Sequence, residues 1–178
     1  MIEFSGCGKE NEFLLNENKK DLDNFLSLVT SSTQLRSETT KSLEKKISEL
    51  GEHKNAISKV VGSATDGLFF SLLCSELSTG SRIGVTAYSF HASASCILRA
   101  GFVPVFIDVD ENGLMDLDIF ENKAKDLDGV IVVQLFGNIV DEIKFLKICE
   151  KFNIKFIEDA AQRHKYSKLL LDSSFCIS

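Results

Sequence analysis

The chain has 178 residues, 44% of them hydrophobic and 26% charged, with a formal net charge of −6. That is enough apolar material for one buried core, and an acidic balance with scattered lysines and arginines leaves no footprint for nucleic acid or an anionic membrane surface. The N-terminus carries Glu3, Lys9, Glu10 and Glu12 with no apolar stretch of a signal peptide, and no run approaches the ~18 apolar residues of a membrane helix.

Five cysteines (Cys7, Cys74, Cys96, Cys149 and Cys176) are widely spaced, with no CxxC or Cys/His pairing. That pattern supports neither a zinc site nor a disulfide framework, so the expectation is buried free thiols in a reducing cytoplasm.

Residues 1–36 read as a lead-in, with Phe25, Leu26 and Leu28 suggesting a short helix before a polar loop at 30–34. From Thr40 the pattern sharpens. Leu43, Ile47 and Leu50 recur on one helical face, Glu44, Lys45, Lys46 and Glu49 point outward, and Gly51 closes the segment. A β-branched run at 57–61 reads as a strand that turns at Gly62-Ser63-Ala64-Thr65-Asp66-Gly67 into a helix over 66–77.

Thereafter strands and helices alternate. Strands are expected over 83–87, 103–109, 129–136 and 154–158, and helices over 89–99, 117–125 and 141–152, the last with Ile143, Leu146 and Cys149 inward. Alternation of this kind implies right-handed βαβ crossovers and a largely parallel sheet in a three-layer α/β/α fold. No repeat, low-complexity tract or internal domain boundary interrupts it.

The strand 154–158 runs straight into Asp159-Ala160-Ala161-Gln162. Crevices at the carboxyl ends of parallel strands hold ligands, small residues let a flat ring approach the backbone, and Asp159 has the chemistry of a counter-ion for a protonated ring nitrogen. Pyridoxal 5′-phosphate (PLP) needs such an acid together with a lysine for the Schiff base. A pyridinium beside Asp159 would depress its pKa by ~1–3 units. Ser63, Thr65 and Asp66 open a helix, where unpaired N–H groups suit a phosphate, although these residue types also serve as ordinary N-caps. Tyr88-Ser89-Phe90-His91 follows the next strand, and Gln134-Leu135-Phe136-Gly137-Asn138 ends another. An aromatic at such a tip can stack on a planar cofactor, whereas His91 and His164 read as structural. There is no GxGxxG or Walker pattern, which argues against dinucleotides and P-loop chemistry.

The ordered set Gly62-Ser63-Ala64-Thr65-Asp66-Gly67-Leu68, Tyr88-Ser89-Phe90-His91-Ala92-Ser93, Pro104-Val105-Phe106-Ile107-Asp108-Val109-Asp110, Gln134-Leu135-Phe136-Gly137 and Ile157-Glu158-Asp159-Ala160-Ala161-Gln162 resembles the DegT/StrS family of PLP-dependent sugar aminotransferases. The resemblance runs over residues 37–178 and implies the large domain of a PLP-dependent transferase, with the small C-terminal domain absent. It also implies a homodimer that aminates nucleotide-linked keto-sugars with glutamate as donor. It places Asp159 at the pyridinium nitrogen and Gln162 at the cofactor's oxygen substituent. Ala64, Thr65 and Ser178 fall at the phosphate, and Phe90 on the ring.

The family's Schiff-base lysine should lie about five residues past Ser178, so the expectation is the N-terminal portion of such an enzyme, inactive alone. The alternative is a naturally short, non-catalytic relative that binds PLP weakly or pairs with a full-length paralogue. Lys165 and Lys168 are off-motif and read as solvated loop charges, and the segment after Gln162 lacks the family's Gly and Ala.

Overall fold

A computed structural model describes residues 38–50, 57–163 and 175–177. The chain divides into two compact units, Met1–Ser58 and Lys59–Ser178. In the first, α1 (Glu38–Leu50) carries exposed Lys41–Glu38 and Lys45–Glu49 pairs at helical spacing, each worth a few tenths of a kcal/mol at most. Its faces differ from the expectation: Leu43 and Ile47 are exposed and Glu44 is buried. Periodicity defines a stripe, but what covers that stripe is a tertiary matter.

The expected strand at 57–61 spans the boundary between the units and does not form. Residues 57–61 have no regular structure and are largely exposed, because β-branched side chains make a strand only when a pleated neighbour takes them up. Helix α2 (Ala64–Leu73) then starts at an N-cap, where Ser63 Oγ accepts from Asp66 N at 3.1 Å and donates to the Asp66 carboxylate at 3.0 Å. It stops four residues before the expected end. Cys74 caps it with a right-handed backbone, Ser75 Oγ donates to Leu72 O, and Glu76 then turns the chain away in a left-handed conformation at φ 59°.

Five parallel strands follow: β1 (Arg82–Thr86), β2 (Val103–Ile107), β3 (Gly129–Val133), β4 (Lys155–Asp159) and β5 (Phe175–Ile177), in the spatial order β2-β1-β3-β4-β5. Central β3 is buried at every position, as its Gly-Val-Ile-Val-Val run requires, while β2 at the edge leaves Val103 and Phe106 exposed. β1, β2 and β3 end sooner than expected, whereas β4 runs one residue further, through Asp159. At the tip of β3, Gln134 and the 3-10 turn Leu135–Gly137 take over.

Helices α2 and α3 (Ala92–Arg99) pack against one another and against the sheet. Helices α4 (Leu117–Lys123) and α5 (Glu142–Phe152) cover the opposite face, where Phe145 stacks on Phe120 at 5.5 Å and meets Phe156 of β4 edge-on at 5.4 Å. Two corrections concern these helices. Helix α3 begins at Ala92 rather than at 89, because Ser89–His91 is spent on the strand tip. In α5 the inward residues are Phe145, Ile148 and Cys149, while Ile143 is 68% exposed. Asn153 ends α5 with a left-handed φ of 53°.

Cys96 and Cys149 are buried as expected and burial pushes the Cys149 thiol up to about 12, but Cys74 is exposed at the end of α2. Cys7 and the side chain of Cys176 lie outside the described residues. No described helix is long and apolar enough to cross a membrane.

Phe145 joins α4, α5 and β4 in one aromatic cluster. Replacing it with alanine should cost about 3–5 kcal/mol through lost burial and a residual cavity. Urea denaturation measures this; a loss below about 1 kcal/mol would mean that α5 is not packed on the sheet through this ring.

Candidate active site

Side chains alternate across a strand, and β4 shows what that does to its two consecutive acids. Lys155, Ile157 and Asp159 face α2 and α3: Lys155 Nζ donates to Ser75 O at 2.7 Å, and Asp159 meets Ser93. Phe156 and Glu158 face α5, through Phe145 and through Arg163 with Glu142. Asp159 and Glu158 are therefore neighbours in sequence on opposite sides of the sheet.

Asp159 is buried at the carboxyl end of β4. Its Oδ1 accepts from Ala161 N at 3.2 Å, and its Oδ2 accepts from Ser93 Oγ at 3.4 Å. Ser93 lies in the first turn of α3, whose positive dipole end favours an anion. Burial pushes the Asp159 carboxyl above the usual range, the two hydrogen bonds oppose this, and the nearby Glu158 charge adds to it. The depression expected beside a pyridinium belongs to the ligand-bound pair; in the protein by itself desolvation wins and the sign is the reverse. A buried carboxylate with only neutral donors is a site that a cation would stabilise.

Gln162 is held differently. Phe136 N donates to Gln162 Oε1 at 3.0 Å. An N–H can only donate, so the amide oxygen must face the backbone, leaving Nε2 as the group Gln162 turns away from Phe136. Phe136 itself stands in a left-handed conformation at φ 56° with its ring 68% exposed and 6.4 Å from that of Tyr88. A phenylalanine there is strained by about 1–2 kcal/mol. Gln134 N donates to Asp159 O at 2.9 Å, continuing the β3–β4 pairing past the strand end.

Phe90 is 63% exposed at the β1 tip, its ring 4.2 Å from that of His91. Ser93 N donates to Phe90 O, so the ring sits one turn from the group that holds Asp159. Thr65 joins from α2, where Cys96 Sγ of α3 donates to Thr65 O at 3.4 Å, and Ala64 precedes it half-buried. Ala64, Thr65, Phe90, Asp159 and Gln162 thus reach the carboxyl side of the sheet through α2, α3 and the tips of β1 and β4. Ser178, Lys165, Lys168 and His164 lie outside the described residues. Among the described residues no group of three or more His, Cys, Asp or Glu is placed to hold a metal.

Residues 16–168 match the model of the DegT/DnrJ/EryC1/StrS aminotransferase family. The chain belongs to that family. It is 29% identical over 138 residues to a pleiotropic regulatory protein of Geobacillus stearothermophilus, covering 76% of this chain and 36% of that one. It is 30% identical over 102 residues to a UDP-N-acetyl-3-dehydro-alpha-D-glucosamine 3-aminotransferase of Acidithiobacillus ferrooxidans, covering 56% and 28%. The crystal structure of an aminotransferase from Psychrobacter cryohalolentis superposes with a TM-score of 0.68 at 27% identity, over 74% of this chain and 33% of that one. The chain therefore spans about a third of the length of the relatives it matches. Its fold is that of the PLP-dependent aminotransferases of fold type I, and family aminotransferases are PLP-dependent.

The group Gln134, Glu142, Glu158 and Arg163, which the sequence reading did not bring together, surrounds the α5-facing side of the β4 tip. A carboxylate directly after Phe156-Ile157 and one position before the strand's end is the signal that could have found it, since a buried charge needs a partner.

The raised Asp159 pKa has a signed consequence. Between its unfolded value near ~3.9 and its higher folded value, the native state holds more protons than the unfolded one. The stability that Asp159 contributes is thus complete below that window and lost as pH rises through it. Asp159→Asn should gain stability relative to wild type as pH rises from about 4, then level off. Ligand-free urea denaturation across that range gives the difference; parallel curves for the two proteins would refute the desolvated carboxylate.

Proposed function

We propose that this chain is the N-terminal, cofactor-binding portion of a cytoplasmic aminotransferase that acts on nucleotide-linked keto-sugars with PLP, takes its amino group from glutamate, and works as a homodimer. The observation that carries the reading is Asp159: a buried carboxylate at the carboxyl edge of a parallel sheet, lifted by desolvation and supplied only with neutral donors. A protonated ring nitrogen is the cation that would offset that cost. Exposed Phe90 offers the stacking face, Gln162 Nε2 a donor for a ring oxygen, and the start of α2 at Ala64 and Thr65, with Ser178, the phosphate end.

Bound there, PLP would supply an electron sink for the amino-transfer step. The chain's own residues hold and orient. Ser93 and Ala161 fix the Asp159 carboxylate, which would then meet the protonated ring nitrogen. Phe136 N fixes the Gln162 amide so that it donates rather than accepts. The exposed aromatic tips at Tyr88, Phe90 and Phe136 would shield one side of the bound ring from water.

Transfer of 15N from glutamate to a nucleotide-linked keto-sugar, by a PLP-supplied form that continues past Ser178 to the Schiff-base lysine, tests the reading, since this chain alone is expected to be inactive. Asp159→Asn should lower the rate by on the order of 10²-fold or more, the usual loss when a placed electrostatic partner is removed. Near wild-type transfer in that variant would take Asp159 out of the site. The reading also requires a lysine from outside the described residues. Borohydride reduction and peptide mapping identify it, and labelling of Lys165 or Lys168 would overturn the expectation that it follows Ser178.

A further inference from the structure

Of the two acids at the tip of β4, the proposed function uses one. Glu158 is 1% exposed on the other face, and its Oε1 accepts both from Arg163 NH1 at 3.0 Å and from Gln134 Nε2 at 2.9 Å. The Arg163 side chain is 6% exposed and its NH1 also reaches Glu142 Oε1, at 2.9 Å, at the start of α5. Gln134 is fully buried, and its own Oε1 accepts from Val140 N at 3.0 Å. These contacts close a ring. Arg163 grips Glu158, Glu158 grips Gln134, and Gln134 spans the turn from 134 to 140. Phe136 N in that turn holds Gln162, the residue before Arg163. Arg163 N donates to Ala160 O at 2.8 Å and tightens the last link.

Buried ion pairs are weak sources of stability, because desolvation consumes most of the Coulomb gain. They do fix geometry, and here the geometry is that of the two loops presenting Gln162 and the strained Phe136. Glu158 Oε2 has no hydrogen-bond partner among the described residues, so without Arg163 the carboxylate would hang on one neutral amide.

We infer that Arg163 is a positioning residue: through Glu158 and Gln134 it locks the β3 and β4 tips in register and so fixes the Gln162 amide for the cofactor. The inference rests on the cofactor reading above, and in it Arg163 acts through Glu158 and Gln134. The turn from 134 to 140 would otherwise be free to relax Phe136 out of its left-handed conformation, and Gln162 would lose the donor that orients it.

The test uses the purified protein with pyridoxamine 5′-phosphate as probe, which needs no lysine, together with amide hydrogen exchange. Arg163→Gln should weaken probe binding by about tenfold, the equivalent of one well-placed hydrogen bond, and speed exchange at Phe136 and Val140 while Ile131 in β3 stays protected. Arg163→Lys keeps the charge and should retain most of the affinity. If Arg163→Gln fails to fold, the double variant Arg163→Gln with Glu158→Gln removes both charges and carries the same expectation. A lowered melting temperature with unchanged affinity and unchanged Phe136 exchange would make Arg163 merely structural and overturn the inference. Wild-type protein that does not bind the probe overturns the cofactor reading, and the Phe136 exchange result still decides whether the clamp exists.

Discussion

The parallel register of β3 and β4 governs the arrangement of the candidate site. It sets Val133 beside Asp159 and Val132 beside Glu158, and the pleat then sends the two acids to opposite faces. A slip of one residue would exchange them, burying Glu158 against α3 and turning Asp159 toward Arg163. The side with Ser93 and Ala161 keeps a carboxylate on neutral donors. The side with Arg163 neutralises one.

Those two solutions to the same desolvation problem have different consequences. A carboxylate held by neutral groups is left with an unmet demand for positive charge, which is a property of a binding site. A carboxylate paired with a buried guanidinium has its demand met and becomes a rivet. Both sit at the end of one five-residue strand. The rigid element is therefore shared between the group that would meet a ligand and the group that holds the scaffold, which is how a strand tip can present a side chain with little freedom to drift. Strain concentrates at the same place, in the left-handed Phe136, as it does where surrounding structure over-determines a conformation.

Much of the fold was legible because its periodicities are strong. The continuous, β-branched apolar run of β3 is too short for a buried helix and fits a strand covered on both faces, and the alternation of such runs with helical stripes admits few topologies. Misreadings arose where a segment's state depends on a neighbour. Residues 57–61 have strand-like side chains and no sheet to join. Ile143 matches a helical stripe yet faces solvent because the aromatic cluster of Phe120, Phe145 and Phe156 sets the rotation of α5. Helix α2 is cut short by Ser75 and Glu76, whose turn chemistry competes with the apolar pattern.

The sequence by itself determined the class of fold, the sites at strand ends where polar chemistry appears, and the family, because period, order and residue type are all written along one dimension. It also singled out Asp159 and Gln162 from their neighbours. Only the tertiary structure decided that Gln162 is oriented by Phe136, that Asp159 rests on Ser93, and that Glu158 and Arg163 form a buried pair behind them. These depend on which distant strand tips and helix ends are brought within hydrogen-bond reach, and on which face of the sheet each side chain is turned to. Neither is fixed until the strands have paired in register.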